Sequence, residues 1–201
     1  TNPGLLSARE MASLREVSAS QGLMLESTSL RLLEGDGAHR GCDTKLPRLR
    51  LATIERAGRL AVPFTTGLLV GLGETRRDVV DAILEIRRLH ARFGHIQEVI
   101  VQPFRAKEGT RLETSADLPE DELLWAVCVA KLLLTDIDGA PPIPVQSPPN
   151  LSSRPDAWRT LLRCGIDDWG GVSARRIRSH AQPTAVPASS CRVRGNIGGC
   201  G

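Results

Sequence analysis

Pro63-Phe64-Thr65-Thr66-Gly67-Leu68-Leu69-Val70-Gly71-Leu72-Gly73-Glu74-Thr75 sets the fold. The unbroken apolar run Leu68 to Val70 suits a parallel strand covered on both faces. Gly71 and Gly73 end it. Thr75 then caps a helix that presents Val79, Ile83, Ile86 and Leu89 at helical spacing. The same alternation of strand and helix continues outward on both sides.

Upstream, Ser7 and Glu10 form a capping box for a helix expected to turn Met11, Leu14 and Val17 inward. A strand follows over residues 22–26, and then a long glycine-containing connection over residues 27–45. Pro47 starts a helix that ends at Gly58, with Leu51 and Ile54 on its buried side. Downstream, a strand is expected over 96–104 and a helix from Pro119 to about Leu134. A short strand over 143–146 leads into Pro148-Pro149-Asn150. A helix around Trp158, Leu161 and Leu162 stops at Gly165, and 166–169 makes the last strand. This alternation means parallel strands joined by right-handed crossovers. Doubly wound sheets and eight-stranded barrels both fit. The polar strand ends (Glu26, Ser27, Glu74, Gln102, Asn150, Asp167 and Asp168) favour a barrel, because a barrel gathers such ends at one mouth. A full barrel takes ~250 residues, so five strands in 201 residues predict a partial (β/α)8 TIM-type barrel.

Composition excludes several classes. No apolar run approaches the ~20 residues of a membrane span, no secretory pattern opens the chain, and a cytoplasmic location is the expectation. Aromatics make up 3% with no tyrosine, too few for a stacking platform for single-stranded nucleic acid. The net charge is +3, but residues 174–201 hold Arg175, Arg176, Arg178, Arg192 and Arg194 and no acid. The preceding 173 residues are therefore mildly acidic, and the basic isoelectric point does not mark a nucleic-acid binder. Cys42, Cys128, Cys164, Cys191 and Cys200 show no CxxC or CxxxCxxC spacing, and His39, His90, His95 and His180 show no HExxH. No metal ligands are assigned to this chain. Cys128 and Cys164 read as small core residues.

Residues 67–75 have two readings. Glycines at a strand end let a ligand approach the backbone, and the helix N-terminus that follows favours anions. However, Arg76 occupies the last place of a dinucleotide fingerprint and no Lys-Ser/Thr pair makes a P-loop, so a tight structural turn is the alternative. Glu26 ends its strand where a carboxylate can accept bonds from a ribose diol, or stand as an exposed turn acid. Asp167-Asp168-Trp169-Gly170-Gly171 pairs two acids, suited to acid–base work or to capping a turn.

Several runs together resemble a known family. They are Asn2-Pro3-Gly4, GLMLES (22–27), RLATI (50–54) with Ala57-Gly58, PFTTGLLVGLGET (63–75), His90 with GHIQEVIVQ (94–102), PPNL (148–151) and DWGGVS (168–173). In this order they are similar to the radical-SAM 7,8-didemethyl-8-hydroxy-5-deazariboflavin (FO) synthases, as the CofG-type subunit or the corresponding half of the fused enzyme. The likeness runs from Thr1 to about Ser173.

The resemblance implies a radical-SAM barrel in which a [4Fe-4S] cluster and S-adenosylmethionine yield a 5′-deoxyadenosyl radical. That radical would convert a hydroxybenzyl–ribitylaminouracil adduct to the deazaflavin of coenzyme F-420, with loss of ammonia. Gly67, Leu69, Gly71 and Glu74 fall on the family's G-x-I-x-G-x-x-E strand motif around the adenine of S-adenosylmethionine. Glu26 falls on a ribose-binding position. Gln102, Asn150, Asp167 and Asp168 are expected to face a small-molecule substrate, and the catalytic residues are not assigned. The family's CxxxCxxC loop is absent and is expected N-terminal to this segment, so the 201 residues alone are expected to be inactive. A companion radical-SAM subunit or an N-terminal half is the expected partner. Pro103 stands where the family has asparagine, which removes a backbone donor. After Ser173 the family pattern stops. Residues 174–201 are expected to form a disordered basic tail, and 23 arginines against three lysines suit a shifted reading frame in GC-rich DNA. The contrasting expectation is a non-catalytic half-barrel module for a nucleotide or protein partner.

Overall fold

The structure, a computed structural model, describes residues 1–148 and 157–170. Asn150 and the 174–201 tail lie outside the described residues. In chain order the elements are α1 (Ala8–Arg15), β1 (Gln21–Gly22), two short 3-10 turns (Leu30–Leu33 and Asp43–Lys45), α2 (Pro47–Arg59), β2 (Phe64–Val70), α3 (Arg76–Phe93), β3 (Ile96–Pro103), α4 (Glu120–Thr135), β4 (Val145–Gln146) and α5 (Ala157–Arg163). The strands form one parallel sheet in the order β1-β2-β3-β4.

Local chemistry explains the boundaries. Ser7 and Glu10 bond each other's backbone N–H groups at the start of α1, and Thr75 and Asp78 do the same for α3. Each box satisfies two donors that a helix N-terminus otherwise leaves unpaired. Pro47, with no N–H to lose, opens α2. Gly94 closes α3 with φ of 63°, in the left-handed region that suits glycine.

The sheet has two unlike faces. Phe64, Leu68 and Val70 of β2 and Val99 and Val101 of β3 are buried against the helices. α3 meets them with Val79, Ile83, Ile86 and Leu89, and α4 with Leu123, Val127 and Leu134. The alternating residues Thr65, Leu69, Glu98, Ile100 and Gln102 point the other way and are half-buried. The helices α2, α3 and α4 pack against one another in a single layer. Helices on one face only are compatible with part of a TIM-type barrel, whereas a doubly wound sheet has them on both. Four strands do not close a barrel.

Three sequence expectations change. The first strand is not continuous over 22–26: after Gly22 the amide of Leu25 bonds the Thr66 hydroxyl, and pairing resumes only as a bridge between Glu26 and Leu68. Glu26 has φ of 66°, which turns the chain out of the ladder. The last strand is a single parallel bridge, Gln146 to Asp168. Val17 lies beyond the end of α1 and is 84% exposed, so of that helix's apolar residues only Met11 is fully buried. No helix among the described residues is long and apolar enough to cross a membrane.

Candidate functional site

The C-terminal ends of β1, β2 and β3 gather most of the predicted positions. Glu26 is stitched to β2 at its backbone: its N–H donates to the Gly67 carbonyl at 2.9 Å and its carbonyl accepts from Leu69 N at 3.1 Å. Its side chain, 12% exposed, meets three basic groups. Lys45 Nζ donates to Oε2 at 2.8 Å, and the Arg50 guanidinium to Oε1 at 3.0 Å. His39 Nε2 approaches Oε2 at 3.0 Å, off the line of a hydrogen bond. Burial alone pushes the Glu26 carboxyl up. The His39 and Lys45 contacts and the Arg50 charge outweigh it and bring the pKa to about 2. Arg50 also donates to the carbonyls of Thr44 and Met24, so one guanidinium ties the second 3-10 turn to the end of β1.

The glycine run has a different internal logic. Glu74 turns back to accept from Gly71 N at 2.6 Å and Leu72 N at 2.8 Å. Gly71 and Gly73 have φ of 104° and 105°, which side-chain-bearing residues avoid. The carboxylate therefore shapes the turn. Gly67 serves close packing: a Cβ there would lie 2.2 Å from the Ile100 carbonyl oxygen and 2.8 Å from Met24 Cε.

Leu69 lines a recess of about 280 Å³ with His39, Lys45, Leu72, Phe104 and Arg105. Its lining combines apolar side chains, Leu69, Leu72, Phe104 and Leu112, with basic ones that include Lys107 and Arg111. Arg111 donates to the carbonyls of Gly37 and Ala38 at 2.7 and 2.9 Å, clamping the loop after β3 onto the loop after β1. Arg105 pairs with Asp117 at 3.1 Å. Gln102, the register partner of Leu69, is half-buried on the same inner face.

The two aspartates separate. Asp167 is held from the helical side by Lys131 Nζ at 2.6 and 2.7 Å, and it accepts from Val145 N at 2.8 Å. It fastens α4 to β4 and stands apart from the other predicted residues. Asp168 is exposed and accepts from the N–H groups of Trp169 and Gly170 at 2.6 and 3.2 Å, forming a turn beside β4.

Sequence reading did not single out Lys45, Arg50 or His39 as site residues, nor an inner-face set formed by Thr65, Glu98 and Gln146. Arg50 carried one signal, an arginine buried on the core side of an amphipathic helix. Among the described residues no three His, Cys, Asp or Glu side chains could hold a metal ion. Cys42 is exposed. The Cys164 thiol is pushed up to about 12 by burial and the neighbouring Cys128 thiol, so it is a poor thiolate ligand. The described residues do not fit an iron–sulfur cluster.

No family model matches the chain. It is similar to proteins named 7,8-didemethyl-8-hydroxy-5-deazariboflavin synthase. With that of Methanothermobacter thermautotrophicus it is 47% identical over 173 residues, 86% of this chain and 50% of the relative. With that of Methanocaldococcus jannaschii it is 44% identical over 185 residues, 92% of this chain and 49% of the relative. With the FO synthase of Nocardia farcinica it is 49% identical over 173 residues, 86% of this chain and 19% of the relative. The chain thus spans half or less of the length of these relatives.

Proposed function

Because this chain is a homologue of the FO synthases, we propose that it supplies the S-adenosylmethionine-facing part of a radical-SAM deazaflavin synthase. The whole enzyme would be a lyase of coenzyme F-420 biosynthesis. It would convert a hydroxybenzyl–ribitylaminouracil adduct to 7,8-didemethyl-8-hydroxy-5-deazariboflavin with loss of ammonia. The observation that carries this reading is the recess at the strand mouth, lined by both apolar and basic side chains, beside the charge cluster on Glu26.

The residues fit S-adenosylmethionine in kind. Leu69, Leu72 and Phe104 offer apolar surface for an adenine, with Glu74 fixing the turn that carries Leu72. Glu26 accepts hydrogen bonds from Lys45 and Arg50 with His39 close by, so about two of a carboxylate's four acceptor positions remain for a ribose diol. Its larger part is to hold Lys45 and Arg50 in place, where their surplus positive charge favours a carboxylate-bearing ligand. Gln102 and Asp168 would meet the substrate further round the sheet, with Asn150 following in sequence. When bound, S-adenosylmethionine and a cluster supply the hydrogen-abstracting radical; the cysteines of this chain lack the spacing for that cluster, and no step is assigned to them. An N-terminal half or a companion subunit would complete the barrel.

Calorimetry with S-adenosylhomocysteine tests the reading. The chain should bind it, and Leu69→Arg, which fills the recess, should weaken binding at least tenfold while leaving the thermal midpoint close to that of the parent. Equal binding by both proteins, or none by the parent, would refute the assignment.

A further inference from the structure

The inner face of the sheet holds a second polar group, deeper than the recess. Thr65 and Glu98 are register partners, and the Thr65 hydroxyl donates to Glu98 Oε1 at 3.1 Å. With its amide turned to suit its neighbours, Gln146 donates to Glu98 Oε2 at 3.3 Å and accepts from Gly170 N at 2.8 Å. Glycine suits position 170 because φ is 67°, and a Cβ there would lie 1.2 Å from the end of the Gln146 amide that faces it. Three strands and the Asp168 turn therefore fix one half-buried carboxylate.

That carboxylate has capacity to spare. Each oxygen receives one protein donor, which leaves about two of four acceptor positions open. It is acceptor-only, so it selects O–H or N–H groups. Thr65 also borders a cavity of about 360 Å³, which Gly22, Met24 and Ile100 line together with the polar residues Thr1, Asn2, Ser20 and Gln21. Thr65 precedes Leu69 by four residues on one strand, which puts the Glu98 level ~13 Å below the recess at about 3.3 Å per residue.

We propose that Glu98 is a specificity-determining residue that accepts hydrogen bonds from the hydroxyls of the substrate's ribityl chain. The inference rests on the proposed function, and it says which end of the substrate points inward. The atoms that react belong at the mouth, beside S-adenosylmethionine, and the part left to reach down the sheet is the unreactive polyol. Adjacent hydroxyls present paired donors that match two fixed carboxylate oxygens. Binding a remote polyol here orients the ring above it.

The test compares three probes on the full chain: 7,8-didemethyl-8-hydroxy-5-deazariboflavin, the same ring with methyl in place of ribityl, and S-adenosylhomocysteine. The parent should bind the ribityl compound more tightly than the methyl one. Glu98→Gln should weaken the ribityl compound on the order of tenfold, the size expected for losing hydrogen bonds to a charged group, and leave the other two unchanged. Thr65→Val keeps the carboxylate, so a few-fold loss with ribityl selectivity retained is expected, and it carries the comparison if the first variant melts early. Equal binding of the two ring compounds by the parent, or equal weakening of both by Glu98→Gln, would overturn the proposal. Loss of S-adenosylhomocysteine binding alone would sink the functional reading and leave the polyol site standing. Binding of that probe without ribityl selectivity would do the reverse.

Discussion

Replacing Glu26 by glutamine keeps the shape of the side chain and removes its charge from the midst of Lys45, Arg50 and His39. The folded pKa of about 2 against an ordinary 4.5 corresponds to roughly 3 kcal/mol, at 1.36 kcal/mol per pKa unit. The side chain is only 12% exposed, so solvent screening removes little of this. The sign follows from proton binding. Between pH 4.5 and 2 the unfolded chain holds a proton on Glu26 that the folded protein does not, so stability falls as acid is added. Urea unfolding followed by circular dichroism should show Glu26→Gln less stable than the parent by about 3 kcal/mol at pH 7. The gap should stay constant down to about pH 5, then narrow steadily as the pH approaches 2. Two parallel pH profiles would refute the electrostatic account and reduce Glu26 to a packing role.

Gly67→Ala places a methyl against a backbone carbonyl rather than a flexible side chain; it should lower stability by about 1–3 kcal/mol, read as an earlier urea midpoint. Thr75→Ala removes one half of the α3 capping box and should cost about 1 kcal/mol, with S-adenosylhomocysteine affinity little changed. Glu74→Ala leaves Gly71 and Leu72 N–H without their acceptor, so here both stability and that affinity should fall. An unchanged affinity would separate the turn from the recess.

Features governed by near neighbours were legible in the sequence. The Ser7 box, the Thr75 cap and the start at Pro47 are decided within four residues, and the strand over 64–70 by its own apolar run. The first strand was misread because alternation at 22–26 does not reveal that Glu26 takes a left-handed backbone. At the site, sequence picked carboxylates at strand ends but not their partners. Lys45 and Arg50 lie 19 and 24 residues from Glu26, in a turn and a helix that meet it only after folding. Asp167 and Asp168 looked equivalent because they are adjacent, yet neighbouring residues of an extended chain face opposite sides. One became a strut to α4 and the other a turn. Glu98 gave no local signal, since its meaning lies in which residues stand beside it on β2 and β4.

The Arg111 clamp has a kinetic consequence. One guanidinium spans two loops that are 73 residues or more apart in sequence, and neither loop has a strand of its own to hold it. Opening either must break the same bonds, so the two loops share a single opening event. Amide hydrogens in the 36–42 segment and the 105–112 segment should then exchange with solvent at a common rate, and a protease that reaches one should soon reach the other. Access to the recess would be governed by a single latch with one opening rate, which is also the rate at which anything held there could leave.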